Sequence, residues 1–414
     1  MDGRLSDAEI DAGQSVHWRR NLAVCLAGSF AIIVAMTLLL PFLPLYVQEL
    51  GVTGDAAIAQ YSGAAYAATF LAAGLVAPLW GRLADRYGRK LMLIRASLGM
   101  AIVMSLMGMA QDVWQLMALR LLTGFLGGYS SGSMTLVATQ TPRARSGWAL
   151  GVLMTGIMAG NLVGPLIGGF LPPVIGIRAT FWLAGGVIFL AFAATALLIK
   201  EAPRPLSAHP AKAAGGWSTL PDKGPLIAML ATGLLLMIAN MSIEPIIALY
   251  VRELVADPRQ TTTFAGLAMS AGALGSVISA SRLGRLADRI GYWTVIAGGL
   301  AVAAILLIPQ ALIANALQLV ALRFLMGLAL GGLLPCIASI IRHNTPDRIA
   351  GAMLGYSTSS QYAGQVVGPL VGGFIGGRFG MRSVFLATSL LMAAGAAYVW
   401  ASRPRSGGPA PPLG

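Results

Sequence analysis

Charge is what this sequence has least of. Only 10% of its 414 residues are Asp, Glu, Lys or Arg, against about a quarter in a soluble globular protein. A string of two or three soluble domains is excluded by that scarcity. Catalytic residue types are thin as well. The three histidines, His17, His209 and His343, fall in terminal or inter-span segments. No HExxH, Gly-x-Ser-x-Gly or phosphate-cradling glycine loop is present, which argues against an enzyme and against ATP as the energy source. No cofactor is expected, leaving an ion gradient to drive any work. The two cysteines, Cys25 and Cys336, lie inside apolar runs and read as small buried hydrophobes rather than a disulfide or a metal site.

Hydrophobic residues make up 57% of the chain. Apolar runs of about 20 residues recur, each long enough for a helix to cross a hydrocarbon core of about 30 Å. The weak period-2 alternation of a membrane barrel is absent, and 52 glycines suit close packing of membrane helices. The expected fold class is therefore an all-α integral membrane protein. Twelve spans are predicted near 21–47, 59–80, 91–110, 114–137, 147–172, 178–199, 224–251, 263–283, 293–312, 317–341, 350–375 and 382–402. The first run is too long for a cleavable signal peptide and is expected to remain as a span.

The net charge of +13 does not point to nucleic acid, because the basic residues sit between spans. Of the 28 Lys and Arg, 21 fall on the side that holds both termini, five on the other side, and Arg120 and Arg323 within spans. The positive-inside rule then places the termini and the central linker in the cytoplasm.

The chain repeats itself. LYVQEL at 45–50 answers LYVREL at 249–254, and GRLADRYG at 81–88 answers GRLADRIG at 284–291. LRLLTGFLGG at 119–128 answers LRFLMGLALGG at 322–332, and GPLIGG at 164–169 answers GPLVGG at 368–373. The offset is 203 or 204 each time. Two parallel six-helix bundles are implied, with the divisions 1–20 (N-terminal tail), 21–199 (first bundle), 200–223 (linker), 224–402 (second bundle) and 403–414 (C-terminal tail). Transporters are built this way, with a substrate site near the midplane between halves that rock against each other.

In the charged phrase, Gly81 and Gly88 are read as permitting tight turns at the ends of spans two and three. Asp85 can pair with an arginine or cap a helix, and Arg86, Arg89 and Lys90 lie where a cytoplasmic loop meets anionic headgroups. The second copy keeps Gly284, Asp288, Arg289 and Gly291 but has Tyr292 and Trp293 in place of Arg89 and Lys90. In the fifth span Gly156, Gly160, Gly164 and Gly168 repeat every four residues, with Pro165 and Gly169 among them. They draw a flat strip for close packing, and the proline is expected to bend the helix. Gly364, Gly368, Pro369, Gly372 and Gly373 repeat the pattern in the second half.

The Gly-x-Leu-Ala-Asp-Arg-x-Gly-Arg-Lys loop and the Gly-x-x-x-Gly-Pro-x-x-Gly-Gly stretch resemble the signature motifs of the major facilitator superfamily, the second being associated with its drug:proton antiporters. PFLPLYVQELGV, GRKLMLIRASLGM and SGWALG resemble the MdtG-type multidrug efflux branch. The resemblance covers essentially the whole chain. It implies the major facilitator fold, a cavity lined by spans one, four, seven and ten, and a cytoplasmic latch that stabilises an outward-facing state. Arg120 matches the family arginine associated with proton transfer.

Ionisable residues inside spans are costly and default to function. Glu244 is the sole acid well inside an apolar run, eight residues from Arg252, or roughly 12 Å along a helix. It is the expected carrier of a coupling proton, pairing with Arg120 or Arg323 when ionised. Burial favours the neutral acid and a nearby arginine favours the carboxylate, so a conformational change can switch proton affinity. Pro245 follows Glu244, and Pro41 holds the matching place, so both spans should bend there. Candidate substrate contacts are Phe30, Met36, Ser130, Ser131, Asn240, Met241, Gln361 and Tyr362. Methionine and aromatic surfaces suit varied apolar ligands, and SSGS at 130–133 with YSTSSQY at 356–362 predicts a wet cavity.

The expected function is export of drugs or other small amphipathic compounds in exchange for protons. A transporter of one organic anion or metabolite is the alternative, and a sensor or scaffold is disfavoured by the short inter-span segments. Expected partners are a small-molecule substrate, protons and the inner-membrane bilayer, with the chain acting as a monomer.

Overall fold

The computed structural model describes residues 17–201 and 223–403. Most of the expected tails and of the linker lies outside these residues. Among the described residues every regular element is helical. The first half comprises α1 (Trp18–Thr37), α2 (Leu43–Glu49), α3 (Asp55–Tyr87), α4 (Arg89–Met107), α5 (Val113–Leu126), α6 (Tyr129–Gln140), α7 (Arg143–Phe170), α8 (Pro172–Ile175) and α9 (Ile177–Leu198). The second half comprises α10 (Gly224–Ile243), α11 (Ile247–Leu254), α12 (Thr261–Ile290), α13 (Tyr292–Leu312), α14 (Ala316–Leu330), α15 (Leu333–His343), α16 (Asp347–Phe379) and α17 (Met381–Ser402).

Ten segments are long and apolar enough to cross a membrane among the described residues. The other two of the twelve crossings are the fourth span, broken into α5 and α6, and α16, whose middle carries YSTSSQY. Four spans are broken in all: the first at 38–42, the fourth at Gly127–Gly128, the seventh at 244–246 and the tenth at Gly331–Gly332. The bends expected at Pro41 and Pro245 are therefore full interruptions, since proline supplies no N–H to the helical ladder. Buried tyrosines hold the outer fragments in both halves. Tyr46 donates its hydroxyl to Met107 O at 2.5 Å and Tyr250 donates to Gln310 O at 2.7 Å.

Local sequence accounts for the helix ends. Asp112 accepts from Gln115 N and Asn315 from Gln318 N, at 2.8 and 3.0 Å. The same glutamines accept from the backbone N–H of Gln111 and Ala314, so each of these spans starts on a reciprocal cap. Four joints consist of one glycine each: Gly88, Gly176, Gly291 and Gly380, with φ of 90°, 85°, 92° and 86°. Side chains with a Cβ avoid this backbone region, so glycine is required where consecutive spans reverse over one residue.

The turn expected at Gly81 is corrected, and its repeat mate agrees. Gly81 lies inside α3, which runs on to Tyr87, and Gly284 lies inside α12, which runs on to Ile290. Neither makes a turn. The charged phrase is helical except at Gly88, because arginine and alanine extend the helix past the apolar run.

The halves meet along α3 with α16 and α7 with α12. The tight contacts lie toward the end opposite the Gly88 and Gly291 joints. Thr262 and Thr263 donate to Gly169 O at 2.9 and 3.2 Å, and Ser270 donates to Leu162 O at 2.8 Å. Arg252 in α11 bonds Gln48 in α2 at 3.1 Å and pairs with Asp55 at the start of α3. At the Gly88–Gly291 joint end, by contrast, a cavity of about 540 Å³ parts Trp80, Asp85 and Arg89 of the first half from Thr358 and Tyr362 of the second. The molecule is thus closed at the Arg252 end and open at the other.

Candidate functional site

A cavity of about 220 Å³ lies where the broken spans face each other, between Thr37 and Leu40 of the first span and Arg323 of α14. Asn161 and Pro165 of α7 line it, as do Asn240 and Met241 of α10. Glu244 caps the C-terminal end of α10, and the missing N–H of Pro245 stops the helix there. The break carries the carboxylate to the cavity wall, where Arg323 also stands.

Neither Arg120 nor Arg323 forms a salt bridge with Glu244 in this conformation. Arg323 leaves its Nε without a hydrogen-bond partner among the described residues. Arg120 is 3% exposed. It donates to Ala65 O at 3.3 Å, and its guanidinium sits 5.3 Å from the centre of the Tyr66 ring. Tyr66 in turn donates to Leu40 O at 3.3 Å. Arg120 is therefore stored behind Tyr66, while its repeat mate Arg323 faces the cavity.

The expected substrate contacts divide. Asn240 and Met241 line the central cavity. Tyr362 and Ser131 line a larger cavity of about 540 Å³ at the open end. Phe30, Met36, Ser130 and Gln361 line neither of these two. The backbone of Phe30 packs toward Gly160, Met36 packs on the core, and Gln361 donates to Ser357 at 3.3 Å.

The open-end cavity also contains Gly81, Asp85 and Arg89 of the repeated phrase. Arg89 approaches Asp85 at 3.7 Å, and the Asp85 side chain is 70% exposed. Arg86 leans over the ring of Tyr87, 5.2 Å from its centre. In the second copy Tyr292 donates to Asp288 at 2.6 Å, occupying the place that Arg89 has beside Asp85, while Arg289 is exposed. Glu201 at the end of the sixth span accepts the backbone N–H groups of Arg89 and Lys90, at 2.9 and 2.8 Å. A carboxylate at a helix N-terminus is well placed for both charge and hydrogen bonding.

The glycine strip of α7 lies against α1. Added methyls at Gly156, Gly160, Gly164 and Gly168 would meet Leu26, Ile33, Thr37 and Leu38. Gly169 instead faces α12, beside Gly266. In the second half Gly364, Gly368 and Gly372 pack on α10, while Gly373 faces Ala59 of α3.

Sequence reading missed several residues around these cavities. Trp80 donates to Phe125 O at 2.7 Å, and Arg95 donates to Gly127 O at 3.0 Å while stacking 3.5 Å from the Trp80 ring. Together they satisfy carbonyls freed by the break in the fourth span. Tyr66, Asn161 and Arg252 were also missed. Asn161 alone carried a signal, being a polar residue amid the apolar face of its span.

Twelve crossings in two repeated halves, meeting around a cavity that is closed at one end and open at the other, define a membrane transport protein. The chain belongs to the Major Facilitator Superfamily, whose family model matches residues 25–316 and, in a second overlapping stretch, 229–413. It is 43% identical over 390 residues to Multidrug resistance protein MdtG of Serratia proteamaculans, covering 94% of this chain and 95% of that one. Multidrug resistance protein MdtG of Salmonella typhimurium is 42% identical over 391 residues, covering 94% and 96%. Among solved structures, an inward-facing, unoccupied bacterial homolog of the human lysosomal transporter Spinster superposes with a TM-score of 0.75 at 13% identity, covering 94% of this chain and 97% of that one. The nucleoside transporter NupG gives 0.71 at 14% identity, covering 92% and 98%. These two show likeness of fold.

Proposed function

We propose that this chain is a multidrug exporter of the inner membrane that exchanges amphipathic compounds for protons by alternating access. Glu244 serves as proton carrier and Arg323 as its switchable counter-charge. One observation carries the reading: a lone carboxylate and an arginine face one central cavity from two broken spans without forming a salt bridge. Such a pair can exchange a proton when motion of the spans changes their separation. The charge asymmetry of the inter-span segments supports cytoplasmic termini, and the open end then faces the cytoplasm. The chain is proposed to act as a monomer.

The lining supports varied substrates. Met241, Met269 and Met326 offer flexible apolar surface, while Asn161 and Asn240 offer donors and acceptors. Small-molecule pockets span about 300–1,000 Å³, so the central cavity of about 220 Å³ admits part of a drug-sized ligand in this conformation. The open-end cavity of about 540 Å³, which shares no lining residue with it, offers a second space nearer the joint end. A dedicated organic-anion site with two cavity arginines is less well supported, since Arg120 is stored behind Tyr66.

The test is drug transport into proteoliposomes with and without an imposed proton gradient. Glu244→Gln should abolish the gradient-driven component while leaving drug binding measurable. A Glu244→Gln protein with full proton-driven transport would sink the assignment.

A further inference from the structure

Between the joint-end segments of α1 and α7 runs a groove of about 610 Å³ that shares no lining residue with the central or the open-end cavity. Its direction follows from the phase of α7. At about 100° per residue, Arg145, Trp148 and Val152 project from the side opposite Asn161, which faces the central cavity. They also avoid the face that Leu162, Pro165 and Gly169 present to α12. The groove therefore opens outward to the bilayer, and Trp148 is 62% exposed.

Its mouth is cationic and aromatic. Arg19 from α1 and Arg145 from α7 both approach the Trp18 ring, at 5.4 and 6.0 Å from its centre. Trp148 meets the same ring edge-on at 6.4 Å. Among the described residues neither arginine forms a salt bridge and no acid lines the groove. Two like charges drawn to one ring make a cationic site with no anion among the described residues. Below them, Leu22, Leu26 and Val152 form an apolar wall. From Trp18 to Leu26 the helix descends about 12 Å, room for the upper part of an acyl chain.

We infer that this groove binds an anionic phospholipid of the cytoplasmic leaflet, its phosphate held between Arg19 and Arg145 and one acyl chain lying along Leu22, Leu26 and Val152. A basic pocket between spans at the cytoplasmic surface suits an acidic headgroup, and tryptophan suits the headgroup level. The fold does not demand the site. At the repeat offset of 204, the second half has Ile349 and Ala352 in place of Arg145 and Trp148. A charge cluster that served topology alone would need neither the paired rings nor the wall beneath. The lipid bridges the first and fifth spans, the pair joined by the glycine strip.

The experiment is native mass spectrometry of the full-length protein in detergent, titrated with phosphatidylglycerol or with phosphatidylcholine of the same acyl chains. Wild type should retain phosphatidylglycerol preferentially. An Arg19→Gln/Arg145→Gln protein should bind it roughly thirtyfold more weakly, taking about 1 kcal/mol per arginine at the membrane surface. An Arg282→Gln/Arg285→Gln control, altered at cytoplasmic arginines of the second half, should bind as wild type does. Equal retention of the two lipids, or undiminished binding by the Arg19/Arg145 double variant, overturns the site. Inorganic phosphate at millimolar concentration should not compete; if it displaces the lipid, the groove is a free-anion site and the lipid assignment fails.

Discussion

Gly63 offers a direct test of how the halves close. It lies in α3 where that helix crosses α16, and a methyl added there would overlap the carbonyl oxygen of Pro369. That obstacle is backbone inside a helix, so no rotamer change relieves it, and α3 must draw away from α16. Overpacking of this kind costs about 1–3 kcal/mol. The penalty falls on the conformation closed at the Arg252 end and not on one in which these helices have parted. Gly63→Ala should therefore shift the population away from the form closed at the Arg252 end by about 5- to 150-fold. Gly74, farther along the same helix, supplies the control, since its added methyl would meet the Tyr362 Cβ at an ordinary 3.5 Å. Spin labels at Gly147 and Gly351, both surrounded by open space at the joint end, report the separation by double electron–electron resonance. Cys25 and Cys336 are buried and do not compete for label. Gly63→Ala should shorten the distance between the labels, while Gly74→Ala leaves it unchanged. An unaltered distribution in Gly63→Ala, or an equal shift in both variants, would refute the argument.

Asp85→Asn should impair transport while leaving insertion intact, because Asp85 carries an exposed charge at the open end, where the halves must approach when that end closes; normal transport by this variant would leave the phrase a purely topological role. Arg95→Leu should lower thermal stability by about 1 kcal/mol, the net worth of a hydrogen bond, as the half-buried Gly127 O loses its Arg95 partner; an unchanged melting temperature would show that the broken fourth span needs no such support.

The repeat, the interruptions at Pro41 and Pro245 and the placing of Glu244 on the cavity wall were legible because each rests on chemistry that stands out in an apolar chain. Proline cannot donate, and an acid inside a span has few innocent uses. The breaks at Gly127–Gly128 and Gly331–Gly332 were not legible. In a chain with 52 glycines a Gly-Gly pair reads equally well as helix packing. That Phe30 and Met36 line neither the central nor the open-end cavity has a related reason. α1 is apolar nearly all round, so its sequence carries no stripe from which to read its rotational phase. Tyr66 was invisible because its meeting with Arg120 depends on how α3 lies against α5.

The two halves share a backbone plan and differ where chemistry is assigned. Arg120 and Arg323 are repeat mates at an offset of 203, as are Tyr66 and Met269, which stand opposite them. Tyr66 covers Arg120, whereas Met269 lies along the cavity that Arg323 enters. The ring therefore distinguishes a stored arginine from an available one. Met269→Tyr would place a matching ring beside Arg323, and a desolvated cation–π contact is worth about 2 kcal/mol, or about thirtyfold in an equilibrium. Under the proposed mechanism that contact competes with Glu244 for the guanidinium. Gradient-driven drug uptake in proteoliposomes should fall by about that factor in Met269→Tyr and stay near wild type in Met269→Leu, which fills similar space without a ring. If both variants lose activity equally, cavity volume rather than access to Arg323 is the controlling quantity. If neither does, the difference between Tyr66 and Met269 is not what sets the two arginines apart.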